Sequence, residues 1–132
     1  MKNRLFLFFV ILVGLAVLCG PLYAHHGGGI YDTAHPITLK GVVTDFQFIN
    51  PHVQIYFDVK DDKGNVVHWA CETISPGKLV RGSGWTKNSL KAGDEITITL
   101  SPSRNGTPVG NLVKIVFADG RTLSPAETAP SY

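Results

Sequence analysis

Cysteine is scarce in this chain, and positive charge is nowhere concentrated. Of its two cysteines, Cys19 lies in an apolar N-terminal run, so the folded part keeps only Cys71. It can therefore build no internal disulfide, and a lone thiol in an oxidising compartment is buried, metal-bound or paired with another chain. No run of lysine or arginine occurs. Nucleic-acid binding needs dense positive charge against the phosphates, so that class of partner is not expected. There is no Ser-His-Asp order, no cysteine pair and no phosphate-cradling loop, and catalysis is not expected either. No internal repeat is visible. The longest apolar run, Leu5 to Cys19, is broken only by Gly14 and is about 15 residues long, short of the ~20 that a spanning helix needs.

What is present begins with a leader. Lys2 and Arg4 precede the apolar run, Gly20-Pro21 breaks it, and Ala24 offers a small residue for cleavage. This reads as an N-terminal signal helix spanning residues 1–24, cut between Ala24 and His25, with export to the periplasm. Leu22 is larger than the position three before the cut prefers. Lys2 and Arg4 account for two of the 12 basic residues, which leaves ten against ten acidic ones in the mature part. No membrane span is expected after cleavage, and residues 25–132 suit one small domain.

After the leader comes a Gly/His-rich arm, residues 25–36, containing Gly27-Gly28-Gly29. Strand patterns follow over 37–48, 53–60, 66–73, 95–100 and 111–117. Val53, Ile55, Phe57 and Val59 give the clearest alternation. In the first strand Ile37, Leu39 and Val43 share one parity, and Val42 and Phe46 share the other. Gly41 inside it predicts a bend or bulge, as in a strand serving two sides of a barrel. Asp61-Asp62-Lys63-Gly64-Asn65 is a hairpin turn. Ser75-Pro76 starts a short helix, with Gly82 expected to close it, and Thr86 is a second cap. A short strand is expected at 121–123, and the tail from Ser124 reads as disordered. Three strands, a helical insertion and two further strands predict a mainly β fold: a small five-stranded OB-like barrel over 37–123.

The candidate site residues are histidines, aromatics and one acid. If the chain begins at His25, the α-amine and imidazole of that residue chelate together. His26 and His52 would complete a nitrogen-rich set for Cu(II), or less specifically Zn or Ni. The plainer reading of His25-His26 is a polar terminus. His52, after Asn50-Pro51, is either a pocket donor or a turn histidine pinning the bend. Trp69 and Trp85, with Tyr31 and Tyr56, would line a groove or else fill the core. Glu72 could act as an acid or base. His68 shares a face with Glu72, but at ~13 Å along the strand they do not touch. His35 reads as a loop residue, and Cys71 as a buried thiol.

Several motifs fall together: Ala24-His25-His26, Pro36-Ile37-Thr38-Leu39-Lys40-Gly41, Asn50-Pro51-His52, Trp69-Ala70-Cys71-Glu72, Gly84-Trp85, Lys91-Ala92-Gly93-Asp94 and Asp119-Gly120-Arg121. On these the chain resembles a family of small secreted bacterial domains of unknown function. Cys71 stands where that resemblance leads one to expect a plain apolar residue. The resemblance implies an exported domain with an OB-like barrel and supplies no activity. The expected function is therefore a non-enzymatic binding module for a small molecule, a peptide or an envelope partner, with Asn50, His52, Trp69, Glu72 and Trp85 at its site. The alternatives are a copper-type metal binder using His25, His26 and His52, and an accessory subunit that docks another envelope protein.

Overall fold

A computed structural model describes residues 29–125. Residues 1–28, which include the expected signal segment, His25 and His26, and residues 126–132 lie outside the described range. Strand β1 (Ile37–Gln47) is the frame of the fold. Its second half pairs antiparallel with β2 (Gln54–Lys60), from Val42 opposite Asp58 to Gln47 opposite Gln54. Its first half pairs with β4 (Glu95–Pro102), from Ile37 opposite Leu100 to Val42 opposite Glu95. Val42 is thus the residue both partners share. One strand can serve two sides only if it coils sharply, and Gly41 permits this. A Cβ there would sit 2.7 Å from the Asp58 carbonyl oxygen and 2.9 Å from the Phe57 ring.

A β-bulge follows. Val43 faces Phe57, but the next pair is Asp45 with Tyr56, so Thr44 is extra. The bulge overturns the simple parity of β1. Val42 stays exposed, whereas Phe46 turns in and packs on the core, although counting by twos puts them together.

Strand β3 (Val66–Glu72) returns antiparallel to β2. The turn between them is closed by Asp61. Its Oδ1 accepts the backbone N–H of Lys63 and of Asn65, and its Oδ2 accepts the Asn65 side-chain amide. Those bonds, that of the Asn65 side chain first, hold the Asp61 carboxyl below its ordinary value.

Helix α1 (Pro76–Ser83) begins with Pro76 in its first turn, and its N-cap Ser75 makes no side-chain cap bond. It ends at Gly84 in the left-handed region (φ 67°), two residues beyond the expected stop at Gly82. Glycine suits that conformation because it has no Cβ to clash. Leu79 is the helix's buried residue. Thr86 caps a local turn, as expected: its N–H donates to Ser89 Oγ and its Oγ1 accepts from the Asn88 N–H.

Strand β5 (Val109–Phe117) runs antiparallel to β4 and parallel to β3 through Ala70–Glu72 against Val109–Asn111. That seam closes five strands in the order β1-β2-β3-β5-β4, back to β1. This is the OB-type connectivity expected from the sequence. Strand β6 (Thr122–Leu123) adds to the far part of β5. The interior holds Val53, Ile55 and Phe57 from the β2 side, Ile96, Ile98 and Leu100 from β4, and Leu112, Ile115 and Phe117 from β5. Trp85, Leu79 and Leu90 pack in from the insertion between β3 and β4. Among the described residues no helix is long and apolar enough to cross a membrane.

The arm before β1 is part of the folded unit from Ile30 on. Tyr31 forms a β-bridge with Ser103. The Asp32 N–H donates to the Pro102 carbonyl, and the Arg104 N–H donates to the Ile30 carbonyl. The arm is thus bonded to the β4–β5 connection ahead of the first barrel strand, which begins at Ile37. At the other end, the Ser124 carbonyl accepts from Trp85 and the Pro125 carbonyl from Ser83, so the first two residues of the expected tail are bound to the insertion.

Candidate functional site

Glu72 is the last residue of β3, beside the parallel seam with Asn111. Its side chain gathers two others. The Tyr31 hydroxyl donates to Oε1 at 2.7 Å, and His52 Nδ1 lies 3.3 Å from Oε2. Each partner arrives by a different route. Tyr31 is carried by the arm, held in place by the bridge to Ser103. His52 follows Asn50-Pro51, whose peptide bond is cis, at the corner between β1 and β2. Val53 is fixed next to it, because its N–H donates to the Ile74 carbonyl and its carbonyl accepts the Thr73 N–H. The corner is thus stitched to the end of β3, and His52 is delivered to Glu72.

The electrostatics follow from this placement. Burial pushes the Tyr31 phenol well above its usual value, and the hydrogen bond and charge of Glu72 push it the same way. Tyr31 therefore stays protonated and acts as a donor across the neutral range. With Nδ1 turned to Glu72, the His52 ring directs Nε2 outward, and its side chain is 54% exposed. A carboxylate on one ring nitrogen is the arrangement that orients an imidazole to bind with the other. Exposed Ile49 lies next to Asn50 in the chain, and exposed Ile74 reaches the same corner through the Val53 N–H that its carbonyl accepts. The end of the barrel thus combines a directed imidazole, an acceptor carboxylate and an apolar margin. That set offers hydrogen-bonding groups to a ligand.

The structure sorts the sequence candidates. Glu72 and His52 come together, joined by Tyr31, which the sequence suggested only as a groove or core aromatic. Trp85 does not line a groove. It is fully buried, its indole N–H donates to the Ser124 carbonyl at 3.0 Å, and its ring lies 6.4 Å from that of Phe46. Trp69 is half-buried and stacks on Phe57 at 6.3 Å. Asn50 is exposed at the corner. Cys71 is buried, and burial, followed by the charge of Glu72, pushes its thiol up, so it is an inert core group. His68 is on the surface and pairs with Asp58 at 2.6 Å, not with Glu72. His35 pairs with Asp32, which is held below its ordinary value mainly by that bond. His25 and His26 lie outside the described residues. Among the described residues no group of three or more His, Cys, Asp or Glu side chains gathers as a metal site would require.

The Tyr31 contact carries its own prediction. Tyr31→Phe removes a hydrogen bond to a charged, partly exposed acceptor and is expected to cost about 1 kcal/mol. The folded phenol is raised, so its contribution is complete below the unfolded value of ~10 and is lost as pH rises above it. Chemical denaturation at pH 8 and pH 11 checks this: the gap between wild type and Tyr31→Phe should be present at pH 8 and shrink at pH 11.

A family model matches residues 13–112, a stretch that contains Tyr31, His52 and Glu72. The chain belongs to DUF6152, a family of unknown function. The DUF6152 match also takes in His25 and His26 and most of the barrel. No curated protein and no solved structure matches the chain.

Proposed function

We propose that this DUF6152 chain is an exported, non-enzymatic binding module whose ligand docks at the Tyr31–Glu72–His52 end of the barrel. One observation carries the reading: a single carboxylate fixes both a protonated phenol and an outward-facing imidazole at the rim. The ligand class is a small molecule or a peptide with hydrogen-bonding groups. The apolar margin of Ile30, Ile49 and Ile74 also suits an envelope protein, in which case the chain acts as an accessory subunit.

A specific observation favours a second reading, a periplasmic binder of copper or zinc. Tyr31 is only six residues after His25, a span of at most ~20 Å, and it is fixed to the same carboxylate as His52. A chain beginning at His25 could bring its amine, His25 and His26 toward His52, with Glu72 orienting that ring.

Native mass spectrometry of the protein isolated from the periplasm separates the readings. An organic adduct that is lost in His52→Ala and Glu72→Ala supports the first. A copper or zinc adduct lost in His25→Ala/His26→Ala and weakened in His52→Ala supports the second. A heteromeric complex lost in Ile49→Asp supports the accessory role. Adducts identical in wild type and all variants would overturn the proposed site, as would a bare monomer throughout.

A further inference from the structure

The parting of β1 and β2 leaves main-chain groups that the Tyr31–Glu72–His52 site does not use. The two strands pair as far as Val42 and Asp58 and then separate. Ahead of Val42, residues 37–41 of β1 pair with β4 alone. Beyond Asp58, Val59 and Lys60 of β2 pair with β3 alone. Neighbouring bonds fix where the unpaired groups point. The Val43 N–H donates to the Asp94 carbonyl and its carbonyl accepts the Gly93 N–H, so Val43 faces β4. Successive residues turn their backbone groups to opposite edges of a strand. Ile37, Leu39 and Gly41 therefore face β4, and the N–H and C=O of Thr38 and Lys40 face the gap that β2 has left. In β2 the Asp61 N–H donates to the Asn65 carbonyl, so odd-numbered residues face β3 and Lys60 faces the same gap. Among the described residues no strand pairs with these groups.

A groove of about 610 Å³ lies at the gap, lined by Lys40 and Val42 of β1 and by Asp58, Lys60 and Val66 of the β2–β3 hairpin. Val42 and Val66 are 42% and 44% exposed. The two lysines are balanced by Asp58 and Glu95, which also line the groove, so it selects neither sign of charge. What it offers is a short row of alternating donors and acceptors beside apolar side chains, which is the complement of another main chain in extended form. A second copy presenting the same edge would bring Lys40 close to Lys40, and like charges across a strand pair repel. Walls on both sides of the gap also suit one lone strand better than the flank of a whole barrel.

We propose that the gap takes up an extended, uncharged segment of a partner polypeptide as an added strand on β1. Its main chain bonds to Thr38 and Lys40, and its alternate side chains, small and apolar, rest on Val42 and Val66. The Lys60–Val66 pair lies at the far end of the β2–β3 hairpin from Gln54–Glu72, so this site is separate from the His52 end.

Amide exchange with and without a capped pentapeptide of alternating threonine and valine tests this. In the free protein the Thr38 and Lys40 amides should exchange quickly, while those of Leu39 and Gly41 are protected by β4. Saturating peptide should slow Thr38 and Lys40 at least about tenfold and leave Leu39 unchanged. Alternate residues of a strand share an edge, so N-methylating the peptide's even or its odd residues should weaken binding about tenfold in one case and far less in the other. Val66→Asp, at an exposed position and with the fold checked by circular dichroism, should also weaken it about tenfold. His52→Ala should leave peptide binding unchanged, so failure here is distinct from failure at the other site. The proposal is overturned if the Thr38 and Lys40 amides do not respond to the peptide, or if both N-methylated peptides bind like the unmodified one. Protection of these amides that rises with protein concentration alone would place a second copy on the edge and overturn it as well.

Discussion

Trp85→Ala is expected to destabilise the fold by about 3–5 kcal/mol. The residue is fully buried and is the largest such side chain. It ties three parts of the molecule together. Its ring meets Phe46 just after the β1 bulge, its backbone N–H closes helix α1 onto the Leu79 carbonyl, and its indole N–H holds Ser124 beyond β6. Alanine would leave a cavity at that junction, and the surrounding β-barrel cannot collapse to fill it. The Ser124 carbonyl would also lose this donor. A domain of this size has about 5–15 kcal/mol in total, so the variant should unfold at much lower urea, or not fold at 37 °C. Trp85→Phe retains most of the apolar volume and should cost about half as much or less. Urea titrations followed by circular dichroism give both values. A near-neutral Trp85→Ala would mean that this tryptophan faces a groove after all.

Gly41→Ala is expected to cost about 3 kcal/mol, an unusually large penalty for one methyl group. The new Cβ would lie 2.7 Å from a backbone oxygen, that of Asp58, and 2.9 Å from the ring of buried Phe57. Neither neighbour can retreat cheaply. Moving the Asp58 carbonyl opens the β1–β2 ladder at its last pair, and moving Phe57 displaces the centre of the core. Gly29→Ala serves as the control, because nothing lies within 4 Å of a Cβ there. Amide exchange should show the Gly41→Ala loss concentrated at Val42, Val43 and the facing β2 residues. Uniform weakening with no local excess would argue against a bend at this point.

These two residues also show what the sequence can and cannot tell. Gly41 was readable as the point where one strand serves two sides, since a glycine within an apolar alternation has few other reasons to be there. The strand order with one helical insertion was readable as well, because each strand carries its own period and each turn its own chemistry. Trp85 could not be placed, because a lone tryptophan after a glycine has no period to give its direction. The Thr44 bulge also leaves no local signature, so Phe46 could not be assigned to the core by counting.

The candidate site was half legible. The hairpin at Asp61–Asn65 fixes the register of β2 against β3, with Gln54 opposite Glu72. Two residues back, His52 becomes a diagonal neighbour of Glu72 on the same face, within reach of long side chains. That pairing could have been found from the turn alone. Tyr31 could not, since it reaches Glu72 only because the arm is bonded to the β4–β5 connection, a contact 41 residues away in sequence. The His68–Asp58 pair was open to the same register argument.

Long-range 1H–15N NMR of the histidine rings tests most directly whether Glu72 gathers Tyr31 and His52 into one site. His52 should show a single neutral tautomer with its proton on Nδ1, and Glu72→Gln should convert it to the mixture of an unconstrained ring. Tyr31→Phe should perturb the same His52 signals although the two side chains meet only through Glu72. A His52 ring with mixed tautomers in the wild type, indifferent to both substitutions, would contradict the site.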